Sequence, residues 1–156
     1  MLFRSALEHW RSRVASTGMS RERVILSPHI NAPAGHMAVY GQVDIHLDSF
    51  PYTGGTTTCD ALWHGVPSVT LRGTRPSDNL GASVLTSAGY PQWIASGETD
   101  YVSIATRLAS NVEALAQTRA QLRDQIKATP LCDGAAFAHA FEAACDELWL
   151  KHLANG

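Results

Sequence analysis

Residues Val43–Gly65 read VDIHLDSFPYTGGTTTCDALWHG. The run Val43–Leu47 alternates towards the apolar and ends at Asp48, a loop with Pro51 and Gly54-Gly55 follows, and Thr56, Thr57 and Thr58 then open an amphipathic stretch reaching His64. That succession predicts a strand, a flexible loop and a helix start, the repeating unit of parallel α/β sheets. Outward from it the alternation continues. Gly65-Val66-Pro67 leads into a strand over Ser68–Leu71, Pro91 into a weaker one over Gln92–Ala95, and Val24–Leu26, closed by Ser27-Pro28, predicts a further strand upstream. Helical stretches over Ala34–Tyr40, Thr57–His64 and Ser77–Ala88 lie between them.

The two ends of the chain read as helical. Leu2, Phe3, Ala6, Leu7, Trp10 and Val14 mark one face of a helix over residues 2–17, with Gly18 placed to stop it. From Glu98 to Thr129 no strand pattern occurs: Tyr101, Ile104, Leu108, Val112, Leu115, Leu122 and Ile126 trace one or two helices, interrupted near Ser110-Asn111 and closed by Pro130. A last helix is expected over about Ala135–Leu153, with Phe137, Phe141, Ala144, Leu148 and Trp149 as its apolar residues. The expected class is α/β: a partial Rossmann-like parallel sheet of four short strands, flanked by helices and followed by a helical C-terminus. Residues 1–97 would form the sheet-bearing lobe and residues 98–156 the helices that complete it. A helix stands where such a lobe normally opens with a strand, so the lobe is expected to be N-terminally incomplete.

Composition narrows the function. With 156 residues, 45% hydrophobic and 17% charged, the chain is about one folded domain and not a disordered tail. Twelve Lys and Arg against fourteen Asp and Glu leave no positive excess for gripping a nucleic acid. No apolar run approaches the ~20 residues of a membrane span, and no signal-peptide pattern is seen, so a cytoplasmic location without membrane or nucleic-acid partners is expected. Cys59, Cys132 and Cys145 lack a CxxC pattern and read as core thiols, and the seven histidines form no HExxH, so no metal site is expected.

Chemistry concentrates at the threonine turn. A helix start offers unpaired N–H groups and the positive end of the macrodipole, which favour an anion by ~0.3–1 kcal/mol and by ~2 kcal/mol when partly buried. Gly54 and Gly55 would let the backbone approach a phosphate, the hydroxyls of Thr56, Thr57 and Thr58 would add neutral donors, and Asp60, one turn on, could take the hydroxyls of a ribose. A ligand-free reading stands beside this one. Thr57-x-x-Asp60 also resembles a capping box, worth ~1 kcal/mol of stability, and the string is neither a Walker loop nor GxGxxG. The residues alone leave both open. His36, after Pro33-Ala34-Gly35, would lie at the same carboxyl end of the sheet, where an imidazole can stack on a base or donate to a phosphate, or simply be a satisfied surface residue. His29 has a weaker case, while packing or a helix-end contact suits His46 and His64 better.

Taken together, Tyr52 to Trp63 (YTGGTTTCDALW) followed by Gly65-Val66-Pro67, with Ser27-Pro28, Gly35-His36, Asp44 to Asp48 and Thr129-Pro130-Leu131-Cys132-Asp133, resemble the C-terminal catalytic lobe of the protein O-GlcNAc transferase family, which includes the plant SPINDLY proteins. The likeness runs from about Arg23 to Trp149 and favours the phosphate reading over the cap. It implies a GT-B architecture of two Rossmann-like lobes, with the donor UDP-GlcNAc held by this one: Gly54, Gly55, Thr56, Thr57 and Thr58 around the diphosphate, Asp60 on the ribose and His36 against the uracil and ribose. It further implies inverting, metal-independent transfer of N-acetylglucosamine to Ser or Thr of an acceptor protein, with UDP-GlcNAc as substrate and no cofactor. Relatives often carry a histidine in place of Gly55, a lysine near Pro33 and a Ser-Arg pair in place of Asp78-Asn79. They also carry, before the matching region, the rest of the lobe, the acceptor-side lobe and often tetratricopeptide repeats. The chain is therefore expected to be incomplete and inactive alone, and no catalytic base is assigned. A non-catalytic nucleotide-binding or interaction module, and a related GT-B enzyme such as a UDP-GlcNAc 2-epimerase, are the alternatives.

Overall fold

A computed structural model describes residues 2–26 and 33–155 and divides into two compact units, residues 1–36 and 37–156. In the first unit, helix α1 (Leu2–Ser16) ends just before Gly18, whose φ of 75° is readily adopted only by a residue without Cβ. A 3-10 turn, Arg21–Arg23, follows. Val24–Leu26, expected as a strand, is not one, and Ile25 is 92% exposed. An apolar run reports a tendency to be buried, whereas a strand exists only through pairing with a neighbour, and these three residues have no ladder partner among the described residues. Ser27-Pro28 and His29 lie outside the described residues. Helix α2 (Pro33–Val39) spans the boundary between the units, with proline at its first position.

The second unit carries the sheet. Strands β1 (His46–Leu47), β2 (Ser68–Leu71) and β3 (Ile94–Ala95) are all parallel, in the order β1-β2-β3, with His46 opposite Ser68 and Thr70 opposite Ile94. Three strands among the described residues replace the four expected. The third is shorter than its sequence suggested because Pro91 winds Pro91–Trp93 into a 3-10 turn. Helices α3 (Thr56–Trp63) and α4 (Leu80–Ser87) make the crossovers between successive strands.

Helices α5 (Glu98–Ala109) and α6 (Val112–Lys127) are separated where Ser110-Asn111 predicted a break. The Asn111 side chain accepts from the Ala114 amide at 2.9 Å and caps α6. One core unites sheet and helices: Leu62, Val69, Leu85, Trp93, Ala95, Ile104, Leu122 and Ile126 are buried together. Arg119 of α6 donates to the Val43 carbonyl at 2.6 Å and pairs with Asp44, holding the chain that enters β1. Trp63 at the end of α3 lies under the Arg123 guanidinium, 4.5 Å from the ring centre.

After the turn Pro130–Cys132, helix α7 (Gly134–Asn155) forms where its sequence pattern predicted a helix, with its apolar residues Phe137, Phe141 and Trp149 exposed by 70%, 61% and 60%. The cysteines are not core thiols. Cys132, in the turn after α6, and Cys145, on α7, are exposed, and Cys59 is half-buried. No helix among the described residues is long and apolar enough to cross a membrane.

His46 sits inside the fold, as its position in a strand predicted. Its Nδ1 lies 2.7 Å from Ser68 Oγ, and burial pushes its pKa below the ordinary 6.5, with Asp48 opposing more weakly. The unfolded chain therefore takes up this proton first, so stability is full above about pH 6.5 and declines as the pH falls below it. Melting curves between pH 7 and pH 5 should show this decline, and His46→Asn should flatten it. An unchanged slope in the variant would remove His46 as its source.

Candidate functional site

The residues singled out around the threonine turn sit where a parallel sheet collects ligands, in the loop that follows the carboxyl end of β1. Asp48 closes β1, and residues 49–55 then lead into α3. The helix begins one residue earlier than its sequence suggested. Gly55 is the N-cap, Thr56 is the first helical residue, and no side chain caps the helix. Thr57 is thus inside the first turn, too far along to serve as cap, and the capping box Thr57-x-x-Asp60 does not form. The capping-box reading is therefore removed.

What the helix start presents can be stated donor by donor. The first amide with a helical acceptor is that of Cys59, which donates to the Gly55 carbonyl at 3.1 Å. The amides of Gly55, Thr56, Thr57 and Thr58 have no protein acceptor among the described residues. Thr56 and Thr57 are exposed and their hydroxyls are likewise unpartnered there. With Ser49, Tyr52, Thr53, Gly54, Gly55 and Leu80 they line an open depression of about 390 Å³. Thr58 differs from its neighbours: it is buried, and its hydroxyl donates to the Gly54 carbonyl at 3.1 Å. Its contribution to an anion would be its amide, not its side chain.

The two glycines are unequal. A Cβ at Gly54 would stand 2.4 Å from Thr57 Oγ1, 2.9 Å from Thr58 Oγ1 and 3.0 Å from Asp48 Oδ1, so position 54 admits no side chain without moving the threonines. A Cβ at Gly55 would meet nothing within 4 Å. A larger residue fits there, and glycine leaves the mouth open.

Asp60 lies one turn after Thr56 and Thr57 on the same helical face, half-buried, its carboxylate without a hydrogen-bond or ion-pair partner among the described residues. Tyr40, in the 3-10 turn Tyr40–Gln42, lies along this helix. Its hydroxyl donates to the Thr57 carbonyl at 3.3 Å, and burial together with the nearby Asp60 raises its pKa. Tyr40 also stacks on His64, whose Nδ1 is 2.8 Å from the Asp60 carbonyl, the helix-end role expected of that histidine. His36 falls within α2, in the other unit, and its side chain lies outside the described residues.

Sequence reasoning missed the support beneath the loop. Asp48 is 3% exposed and accepts from the Gly54 amide and the Thr70 hydroxyl, each at 2.8 Å. Its carbonyl takes the Tyr101 hydroxyl at 2.8 Å, and burial pushes the pKa of Tyr101 up to about 12, with Asp48 adding to the rise. The signal available was an acid closing a buried strand directly before a glycine loop. Asp78 and Asn79 brace the turn after β2. The Asp78 carboxylate is held by Arg75 at 3.0 Å, which keeps its pKa below the ordinary carboxylate range, and Asn79 Nδ2 donates to the Gly73 carbonyl at 3.0 Å. No cluster of three potential metal ligands occurs among the described residues.

Known proteins resemble this chain over most of its length. The chain is 40% identical over 148 residues to the probable UDP-N-acetylglucosamine–peptide N-acetylglucosaminyltransferase SPINDLY of Oryza sativa subsp. japonica, covering 95% of this chain and 16% of that protein. It is 29% identical over 145 residues to the UDP-N-acetylglucosamine–peptide N-acetylglucosaminyltransferase of Caenorhabditis elegans, covering 93% and 12%. Among solved structures, a mutant of Thermobaculum terrenum O-GlcNAc transferase matches with a TM-score of 0.79 at 31% identity, over 91% of this chain and 27% of that one. The architecture is that of the GT-B glycosyltransferases, and the chain spans 16% of the length of the curated SPINDLY relatives it matches. The pattern of glycosyl transferase family 41 extends over residues 4–141. With most of its length inside that pattern, the chain belongs to glycosyl transferase family 41.

Proposed function

We propose that this chain holds the UDP-GlcNAc donor of a protein O-linked N-acetylglucosaminyltransferase. The observation that carries the reading is the set of four amides, Gly55 to Thr58, left without acceptors among the described residues at the mouth of α3, beside two threonine hydroxyls likewise unpartnered there. Two anionic phosphates are the complement of such a mouth. The diphosphate takes these amides and the hydroxyls of Thr56 and Thr57, and Asp60 takes the ribose hydroxyls; the family resemblance assigns His36 to the uracil and ribose. Residues 1–97 then bear the nucleotide and residues 98–156 complete the lobe.

In the reaction, the bond between the sugar's anomeric carbon and the β-phosphate oxygen breaks, its electron pair leaving with UDP, while a serine or threonine hydroxyl of the acceptor protein bonds to the opposite face of that carbon. The charge that grows on the leaving phosphate is met by preorganised amides at the helix start, a role that electrostatic stabilisation fills without a cofactor. The hydroxyl proton departs to a base that we do not assign to this chain, and the acceptor is presented by a second lobe. The enzyme acts in the cytoplasm. Calorimetric titration with UDP and with uridine tests the binding step: UDP should give saturable heat and uridine at the same millimolar concentration little. Absence of heat with UDP would overturn the reading.

A further inference from the structure

We propose that Asp48 is the positioning residue of the donor site, the group that fixes Gly54 so that the four following amides face the ligand. The inference rests on the donor reading above and adds a residue that does not itself touch the nucleotide. Asp48 is anchored before it acts. Its own amide donates to the Val69 carbonyl at 2.9 Å, so its backbone is held by the sheet. From that anchor Oδ1 accepts from the Gly54 amide and Oδ2 from the Thr70 hydroxyl.

Gly54 is thereby tied at both ends, its N–H to Asp48 and its carbonyl to the Thr58 hydroxyl. With both peptide planes around Gly54 fixed, the chain has little freedom until Cys59 makes the first helical bond, and the amides of residues 55–58 remain unpaired among the described residues. A second helix start approaches the same carboxylate. A Cβ at Gly81 would stand 2.4 Å from Asp48 Oδ2 and 2.6 Å from Thr70 Oγ1, so α4 reaches Asp48 only because residue 81 has no side chain. The Gly81 amide donates to Thr53 Oγ1 at 3.1 Å, which fixes the loop from its other side.

Among the described residues no lysine or arginine pairs with this buried carboxylate. The Gly54 amide and the Thr70 hydroxyl hold it instead. The interaction that matters for the site is thus acceptance from Gly54, which a neutral amide oxygen can reproduce, while the Thr70 hydroxyl can turn to accept from the new amide nitrogen.

The test compares UDP affinity, melting temperature and the Gly54 amide resonance in Asp48→Ala, Asp48→Asn and Thr70→Val of the full chain. Asp48→Ala should weaken UDP binding by tenfold or more and move the Gly54 amide resonance upfield. Asp48→Asn should restore affinity to within threefold of the unaltered chain, and Thr70→Val should lower the melting temperature while keeping affinity within threefold. Undiminished UDP affinity in Asp48→Ala overturns the proposal, and so does a tenfold loss in Asp48→Asn, which folds with the acceptor in place. If the unaltered chain gives no UDP response, the donor reading fails by itself, and the brace is then decided by the Gly54 resonance. Its movement in Asp48→Ala, together with those of Gly55–Thr58, supports the brace, and an unmoved resonance overturns it.

Discussion

Gly65→Ala should lower the stability of the chain by about 2–5 kcal/mol, the sum of a left-handed backbone penalty and an overpacked contact. Gly65 closes α3 with a φ of 74°, its amide donating to the Leu62 carbonyl at 3.0 Å, while the Val66 amide donates to the Ala61 carbonyl at 2.8 Å. These paired bonds are a Schellman motif, which needs a residue tolerant of positive φ at this place. A Cβ would also stand 2.6 Å from the Arg119 carbonyl oxygen, a backbone atom of α6 that has no flexible end to move aside. At about 2–4 °C per kcal/mol for a chain of this size, the melting temperature should fall by roughly 4–20 °C. A fall under about 2 °C would mean that the junction of α3 and α6 is looser than the structure shows.

Thr57→Val should do the reverse, weakening UDP binding by roughly tenfold or more, as expected for a hydrogen bond to a charged group, with little change in melting temperature. The substitution keeps the branched shape and removes a hydroxyl that has no protein partner among the described residues, on an exposed position at the helix mouth. Thr58→Val provides the contrast. Its hydroxyl is buried and ties the Gly54 carbonyl, so the variant should lose stability as well as affinity. If Thr57→Val lowered the melting temperature and left UDP affinity intact, the threonine would belong to the fold and not to the ligand.

Much of this arrangement was legible before any coordinates. Ser68–Leu71 is a strand with the bounds its pattern predicted, because a buried run between Pro67 and a turn leaves few other conformations, and the break at Ser110-Asn111 is an N-cap that asparagine announces. The threonine turn was placed correctly as a helix start after a glycine loop. Its cap was not, because Thr57 and Asp60 have the spacing of a capping box whichever residue begins the helix, and only the backbone shows that Gly55 does. Val24–Leu26 misled for a related reason: three apolar residues do not encode a neighbour to pair with. Asp48 was passed over because its significance is relational. Thr70 and Gly81, which give it a partner and room, lie 22 and 33 residues away in sequence and meet it only once β2 and α4 have packed.

The account rests on the mouth of α3 receiving a diphosphate, and amide-resolved NMR during a UDP titration looks at that mouth directly. The amides of Gly55, Thr56, Thr57 and Thr58 should show the largest shifts of any in the chain, saturating together, with smaller changes at Asp60 and none along α7. Shifts confined to other elements, or amides at positions 55–58 that stay in place while UDP binds, would contradict it.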